Sequence, residues 1–257
     1  MTGVNDIVSA RHQLIQIARK VNGAGILADR GQVSRGLAVE QAKFLQFVMD
    51  SAQIIDRLAP FLEGDSLSAE QLANISVYLK LLVRWNSLVN LTSIREDEAI
   101  VARHFGESFF AARKLRPLVS SEASLADLGS GAGFPGIPIK IWIPELRVIL
   151  IESRQKKAAF LNEVIRTLRI KTIEVANRRA EELGTQADLV TLRAVEKFER
   201  ALLIAQQLVR PGGKLILLVG SQQTSAAKSL LPQFTWQEPH KIPLSSSRIL
   251  CIGHAPQ

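Results

Sequence analysis

The sequence has one cysteine, Cys251, in 257 residues. A lone thiol cannot form an internal disulfide, and no cysteine cluster is present to hold zinc. The composition therefore predicts a cytoplasmic, reducing setting and no metal. No uninterrupted apolar run of about 18 residues occurs, so no membrane-spanning helix is expected. The N-terminus lacks the continuous apolar core of a secretory signal. Arg11, Arg19 and Lys20 lie among apolar residues there, but Asp6 interrupts the pattern of an organellar targeting helix. The chain contains no G-x-x-x-x-G-K-[S/T] segment, which excludes a P-loop for nucleoside triphosphates. No paired carboxylates, no histidine–aspartate arrangement and no internal repeat stand out.

Hydrophobic residues make up 47% of the chain, enough for one large domain or for one domain beside a smaller one. Lysine and arginine number 32 against 24 acidic residues, a net charge of +8. Such a surface favours polyanions, RNA among them.

Texture divides the chain near Pro117. Before it the pattern is helical. Residues 1–36 are punctuated by glycine, with a short helix expected from about Asp6 to Val21. Phe44, Leu45, Val48, Ile55 and Leu58 recur at helical spacing, and Pro60 and Gly64 close that stretch. Ser68 and Gln71 have the spacing of a capping box. Leu72, Ile75, Leu79, Leu82 and Val83 then form a stripe, and a further helix is expected from Glu96 to about Arg113. After Pro117 strands alternate with helices: "SLADLG", "RVILIES", "TIEVAN", "ADLVTLRAV" and "KLILLVG" read as strands, with a terminal hairpin at "HKIPLSSSRILCIG". That alternation predicts an α/β fold with a mostly parallel sheet covered on both faces. The organisation expected is an extension over 1–50, a helical cap over 51–118 and a catalytic domain over 119–257.

The stretch "DLGSGAGFPGIP", residues 127–138, carries two overlapping glycine patterns. Asp127, Gly129, Gly131 and Gly133 have methyl-donor spacing. Gly131, Gly133 and Gly136 have dinucleotide spacing. Glycine permits positive φ and close backbone approach to a ligand at a strand's carboxyl end, so both patterns point to a nucleoside-type ligand. Glu152, closing the next strand, suits ribose hydroxyls in either case. Two features favour the methyl donor. Asp127 would repel a pyrophosphate, whereas it can orient the loop or meet the charged amino-acid end of S-adenosylmethionine. Pro135 and Pro138 remove N–H groups that a pyrophosphate would use.

"WNSLVNLTSIREDEAIVARHFGESF", "LADLGSGAGFPGIPIKI", "ILIESRQKKAAFLNEVIRTL" and "NRRAEEL" resemble, in order, signature segments of one family. It is the bacterial 16S ribosomal RNA guanine-N7 methyltransferases, also called glucose-inhibited division protein B. The resemblance covers about residues 54–252. It implies a Rossmann-like S-adenosylmethionine-dependent methyltransferase fold, with a mostly parallel seven-stranded sheet and a helical N-terminal cap. It implies transfer of methyl to N7 of a guanine in small-subunit ribosomal RNA, by a cytoplasmic monomer that needs neither membrane nor metal. For the donor it implies Asp127, Gly129, Gly131, Gly133 and Phe134 on the methionine and ribose side. Glu152, with Ser153 and Arg154, falls to the ribose, and Ala180 and Glu181 to the adenine. Arg193, His104 and Asn90 match pocket-facing positions and are the expected catalytic residues, with Arg193 also at the donor. Arg103, Arg178 and Arg179 are expected at the RNA, and Arg95, Arg154, Lys156 and Lys157 are further candidates for phosphate. N7 carries a lone pair and no proton, so the transfer needs proximity and alignment but no general base.

Four positions depart from the family pattern: Val219 where a lysine is usual, Glu107 for an aspartate, Arg178 where a small residue is common, and an ending without the usual lysine. A diverged paralogue acting on another RNA and a dinucleotide-dependent oxidoreductase are the alternative readings. The first 50 residues lie outside the resemblance. They read either as an RNA- or partner-binding extension or as a start placed upstream of Met49, the one internal methionine.

Overall fold

The computed structural model describes residues 49–194 and 197–257. The helix expected near the N-terminus, and Phe44, Leu45 and Val48, lie outside the described residues.

Helix α1 (Ser51–Leu62) begins at Asp50, whose side chain and that of Gln53 cap each other's backbone N–H groups. Ile54, Leu58 and Phe61 form its buried face. Pro60 does not close this helix, contrary to the expectation. It sits in the last turn, where one lost backbone bond is tolerated, and the helix runs on to Leu62. Glu63 ends it in the left-handed region, φ 46°. Helix α2 (Ala69–Asn86) starts with the expected Ser68–Gln71 capping box. Ile75, Leu79 and Leu82 are buried as the stripe predicts, while Leu72 and Val83 are half-buried. Tyr78 joins the buried face.

The next helical stretch comprises α3 (Asp97–Ile100), a π-helical turn (Val101–Gly106) and α4 (Glu107–Leu115). Such wide turns shift side chains around the helix axis and recur at functional sites. Here the turn carries Arg103 and His104 and leads into Glu107. Gly106 makes it possible, since a Cβ there would lie 2.5 Å from ring carbons of Phe61 on α1.

Strands β1 (Ser124–Leu128), β2 (Arg147–Ile151), β3 (Ile173–Ala176), β4 (Ala187–Arg193) and β5 (Val209–Gly220) run parallel, with β1 between β2 and β4. Helices α5 (Gly136–Trp142), α6 (Gln155–Leu168) and α7 (Phe198–Leu208) connect them, and α8 (Gln222–Leu230) follows β5. Only a 3₁₀ turn, Ala180–Glu182, lies between β3 and β4. Strand β8 (Arg248–His254) pairs antiparallel with β5. Its other edge takes β6 (Thr235–Trp236) and β7 (His240–Lys241). The sheet thus has eight strands where seven were expected. The cause is local. Trp236 pairs with Gly253 and His240 with Leu250, so four steps on one strand oppose three on the other. The extra residue bulges the edge at Gln237–Pro239, and Pro239 has no N–H to donate. "PGG" likewise loops out within β5, between the Val209–Ala187 and Lys214–Leu189 pairs.

Alternation along the strands divides the core. Leu125, Val148 and Leu150 face the layer formed by α1, α2, α4, α5 and α6. Val190, Leu192, Leu215 and Leu217 face Leu202 and Ala205 of α7 and Ala227 of α8. The order of the parallel strands, β3-β2-β1-β4-β5, reverses direction between β1 and β4. That switch point opens a crevice at the strands' carboxyl ends.

Gly106→Ala should cost about 1–3 kcal/mol, because Phe61 is fully enclosed and cannot yield cheaply. Urea and thermal unfolding check this: each kcal/mol should lower the midpoint by about 2–4 °C in a domain of this size. An unchanged midpoint would contradict the contact.

Candidate active site

Two clefts lie side by side at the switch point, of about 490 and 440 Å³. They share Gly129, Lys157 and Ala194. The first is framed by the ends of β1 and β2 and the 3₁₀ turn, and holds Glu152, Ser153, Arg154, Arg178, Arg179, Ala180 and Glu181. The second lies between the π-helical turn and the ends of β4 and β5, and holds Thr92, Arg103, His104, Phe134, Arg193, Val219 and Arg248.

The glycine loop is fixed from beneath. Asp127, 1% exposed, accepts bonds from the Thr191 hydroxyl (2.7 Å) and the Gly136 N–H (3.2 Å). Burial pushes its pKa up to about 6, against these bonds. Asp127 lines neither cleft, so of the two roles open to it the geometry supports orienting the loop. The loop's N–H groups are taken as well. Gly129 and Ser130 donate to the Ile151 carbonyl, and Gly131 donates to Glu152 Oε2 at 3.0 Å. Gly129, Gly131 and Gly133 have φ of 70°, 57° and 88°, the region where glycine alone is at ease. Gly133 lines neither cleft. It gives room instead, since a Cβ there would collide with the Tyr78 hydroxyl and lie 2.7 Å from Ile137. Gly136 plays the same part against Asp127 and Leu150.

These bonds bear on which glycine pattern operates. At the start of α5, Gly136 N–H goes to Asp127 and Ile137 N–H to the Gly133 carbonyl, while Pro138 has none. No donor is left there for a pyrophosphate. Glu152, 6% exposed, also accepts from the Arg154 N–H at 2.7 Å. A carboxylate offers about four acceptor positions, so two remain for ribose hydroxyls.

The second cleft is built on a buried carboxylate. Glu107, 1% exposed, pairs with Arg193 (3.2 Å) and with Arg248. Burial raises its pKa, and the two guanidiniums oppose that rise. Arg193 Nη2 also donates to the Arg103 carbonyl (2.6 Å) and meets His104 Nδ1 at 3.2 Å. The His104 ring stacks on Phe134, centroids 4.9 Å apart, and Phe134 stacks on Tyr78 at 5.2 Å. Tyr78 donates to the Ala132 carbonyl, tying α2 to the glycine loop. Burial, then the charges of Arg193, Arg103 and Arg248, lower the His104 pKa to about 3.

Most sequence-predicted residues therefore meet at one place, with exceptions. Asn90 is exposed and lines neither cleft. The asparagine that shapes the wall is Asn86, 6% exposed, whose Oδ1 accepts from the Leu91 and Thr92 N–H groups. Glu181 lines the first cleft and pairs there with Arg200 at 3.5 Å. Lys156 is exposed and lines neither cleft, whereas Lys157 lies between both. Sequence reasoning missed Tyr78, Asn86, Thr92 and Arg248. Arg248 carried a signal, being a charge that opens an otherwise apolar strand, and Tyr78 is the single tyrosine of the chain.

The depressed His104 pKa predicts a pH signature. Between about pH 6.5 and 3 the unfolded chain takes up a proton at this residue and the folded chain does not. Wild-type stability should therefore fall on acidification relative to His104→Gln, by up to about 1.4 kcal/mol per pH unit below pH 6. Urea unfolding of both proteins from pH 7 to 5 checks it, and a constant difference would contradict a neutral His104.

The family model described as GidB, rRNA small subunit methyltransferase G, matches residues 71–246. A relative from Xanthomonas oryzae pv. oryzae, named ribosomal RNA small subunit methyltransferase G, is 38% identical over 183 residues, covering 70% of this chain and 84% of its own. One of the same name from Desulfitobacterium hafniense is 39% identical over 176 residues, covering 66% and 72%. With the loop, the switch-point clefts and these matches in agreement, the chain belongs to the rRNA small subunit methyltransferase G family.

Proposed function

We propose that the chain transfers the methyl group of S-adenosylmethionine to N7 of a guanine in 16S ribosomal RNA. The observation that carries this reading is the pair of clefts meeting at Gly129, Lys157 and Ala194. A donor with its adenosine end in the first would pass its methionine end across this wall toward Gly131 and Phe134 in the second, where the base also enters, and no large apolar side chain intervenes. S-adenosylmethionine supplies an electrophilic methyl carbon on sulfonium sulfur. The guanine N7 lone pair forms the new C–N bond as the C–S bond breaks, and its electron pair goes to sulfur. The products are a thioether and a cationic methylated base. No proton moves, which agrees with a cleft whose histidine is neutral and whose carboxylate is committed to two arginines. Catalysis then consists of alignment and exclusion of water.

In this reading Glu152 takes the ribose hydroxyls, with Ser153 and Arg154 beside it. Ala180 and Glu181 border the adenine, and Gly129, Gly131 and Phe134 border the methionine side. Arg193 and His104 shape the base slot. Arg103, Arg178 and Arg179, all exposed, offer charge to RNA phosphates. Residues 51–118 act as a cap over the catalytic domain at 119–257. The enzyme works as a cytoplasmic monomer without a metal; no helix among the described residues is long and apolar enough to cross a membrane. A dinucleotide reading gains nothing from the geometry, because the start of α5 has no N–H to offer a pyrophosphate.

Glu152→Ala should weaken S-adenosylmethionine binding roughly 10- to 100-fold, the loss of hydrogen bonds to a charged acceptor. Calorimetry measures it, with circular dichroism confirming the fold, and unaltered affinity would remove Glu152 from the donor site. In a deletion strain, 16S RNA should lack one N7-methylguanine, restored by the gene in trans. An unchanged methylation map would refute the substrate.

A further inference from the structure

Thr92 sits on the wall of the base slot, and its hydrogen bonds leave one group unaccounted for. Arginine is donor-only, and the two hydrogens of Arg193 Nη2 are shared among the Arg103 carbonyl (2.6 Å), Glu107 (3.2 Å) and His104 Nδ1 (3.2 Å), so the imidazole turns a lone pair, not an N–H, toward that cation. In the neutral ring Nε2 then carries the proton. Nε2 lies 2.8 Å from Thr92 Oγ1, so the histidine donates and the threonine accepts. The Ile94 N–H donates to the same oxygen at 3.2 Å. Both lone pairs of Oγ1 are thereby used. Its own O–H has no acceptor among the described residues. The backbone that carries it is fixed, because Asn86 Oδ1 accepts from the Thr92 N–H (2.9 Å) and Asn86 Nδ2 donates to the Thr92 carbonyl (3.0 Å).

We propose that the Thr92 hydroxyl donates a hydrogen bond to O6 of the target guanine and selects guanine over adenine. This rests on the functional reading above. N7 and O6 share one edge of guanine, and both accept. A base that presents N7 to the donor cleft therefore presents O6 beside it. Adenine places an amino donor at that position. A hydroxyl with free lone pairs would turn and accept from it, but this one cannot, since His104 and Ile94 occupy them. The relay from Arg193 through His104 to Thr92 thus sets the direction of the last hydrogen bond. His104 acts here as a positioning residue, and Thr92 as the one that touches the base.

The test is a cycle between residue and substrate. Small subunits are assembled from 16S RNA carrying either guanine or 2-aminopurine at the methylated position. 2-Aminopurine keeps N7 and lacks O6. Wild type should lose about tenfold in kcat/KM on 2-aminopurine, and Thr92→Val about tenfold on guanine. The combination should lose no more than either change alone, and Thr92→Ser should restore the discrimination. S-adenosylmethionine affinity should be unchanged throughout. Losses that multiply in the combination would overturn the contact. So would equal wild-type rates on the two RNAs, a comparison that stands even if Thr92→Val does not fold. Wild type that methylates neither RNA at N7 would overturn the functional reading and the contact with it, an outcome distinct from wild-type activity without discrimination.

Discussion

One carboxylate beneath the glycine loop holds the crevice in shape. Asp127, next to last in β1, bonds Thr191 on the neighbouring β4 and takes the first N–H of α5. Three elements that diverge at the switch point are thus joined through one side chain. The cost of burying it shows in its raised pKa. The glycines follow from this arrangement. With strand, helix and partner strand drawn together, the connecting loop must turn through left-handed backbone, and Gly133 and Gly136 must leave room for Tyr78, Ile137 and Leu150. Asp127 lines neither cleft, and Glu152, one strand away, is the carboxylate that lines the first.

A second buried carboxylate governs the other cleft. Glu107 reaches it through the π-helical turn, and there it neutralises one of two guanidiniums. One positive charge stays in excess and adds to burial in keeping His104 neutral. Glu107, which stands where the family pattern has aspartate, is the first residue after that turn. Val219, 5% exposed, lines the same cleft and leaves that wall apolar.

Much of this was legible in the sequence, and unevenly so. The capping box at Ser68 and Gln71, the buried stripe of α2 and the run of parallel strands follow from local periodicity and cap chemistry, and they appear as expected. The donor cleft was legible because its residues cluster in short segments after strands. The base slot was less so. It is assembled from the loop after α2, the π-helical turn, the glycine loop and the ends of β4, β5 and β8, and such long-range convergence leaves no periodic trace. Asn90 illustrates the difficulty. "WNSLVNLT" contains two asparagines, and only packing decides that Asn86 turns inward and Asn90 outward. The eighth strand was missed because a bulge is a matter of register, which Pro239 hints at without fixing.

The common wall of the two clefts has a consequence for how such an enzyme can change. One chamber is drawn from the ends of the first three strands, the turns that follow them and α7, the other from the loop after α2, the π-helical turn, the glycine loop and the ends of β4, β5 and β8. The wall they share consists of Gly129, Lys157 and Ala194, and the glycine loop continues from it into the second chamber. In the proposed reading, substitution in the loop after α2 or at the end of β5 touches the nucleic acid alone, whereas substitution in the glycine loop touches both partners of the transfer. The departures divide accordingly: Val219 lines the second chamber and Glu107 braces it from beneath, while Arg178 lines the first.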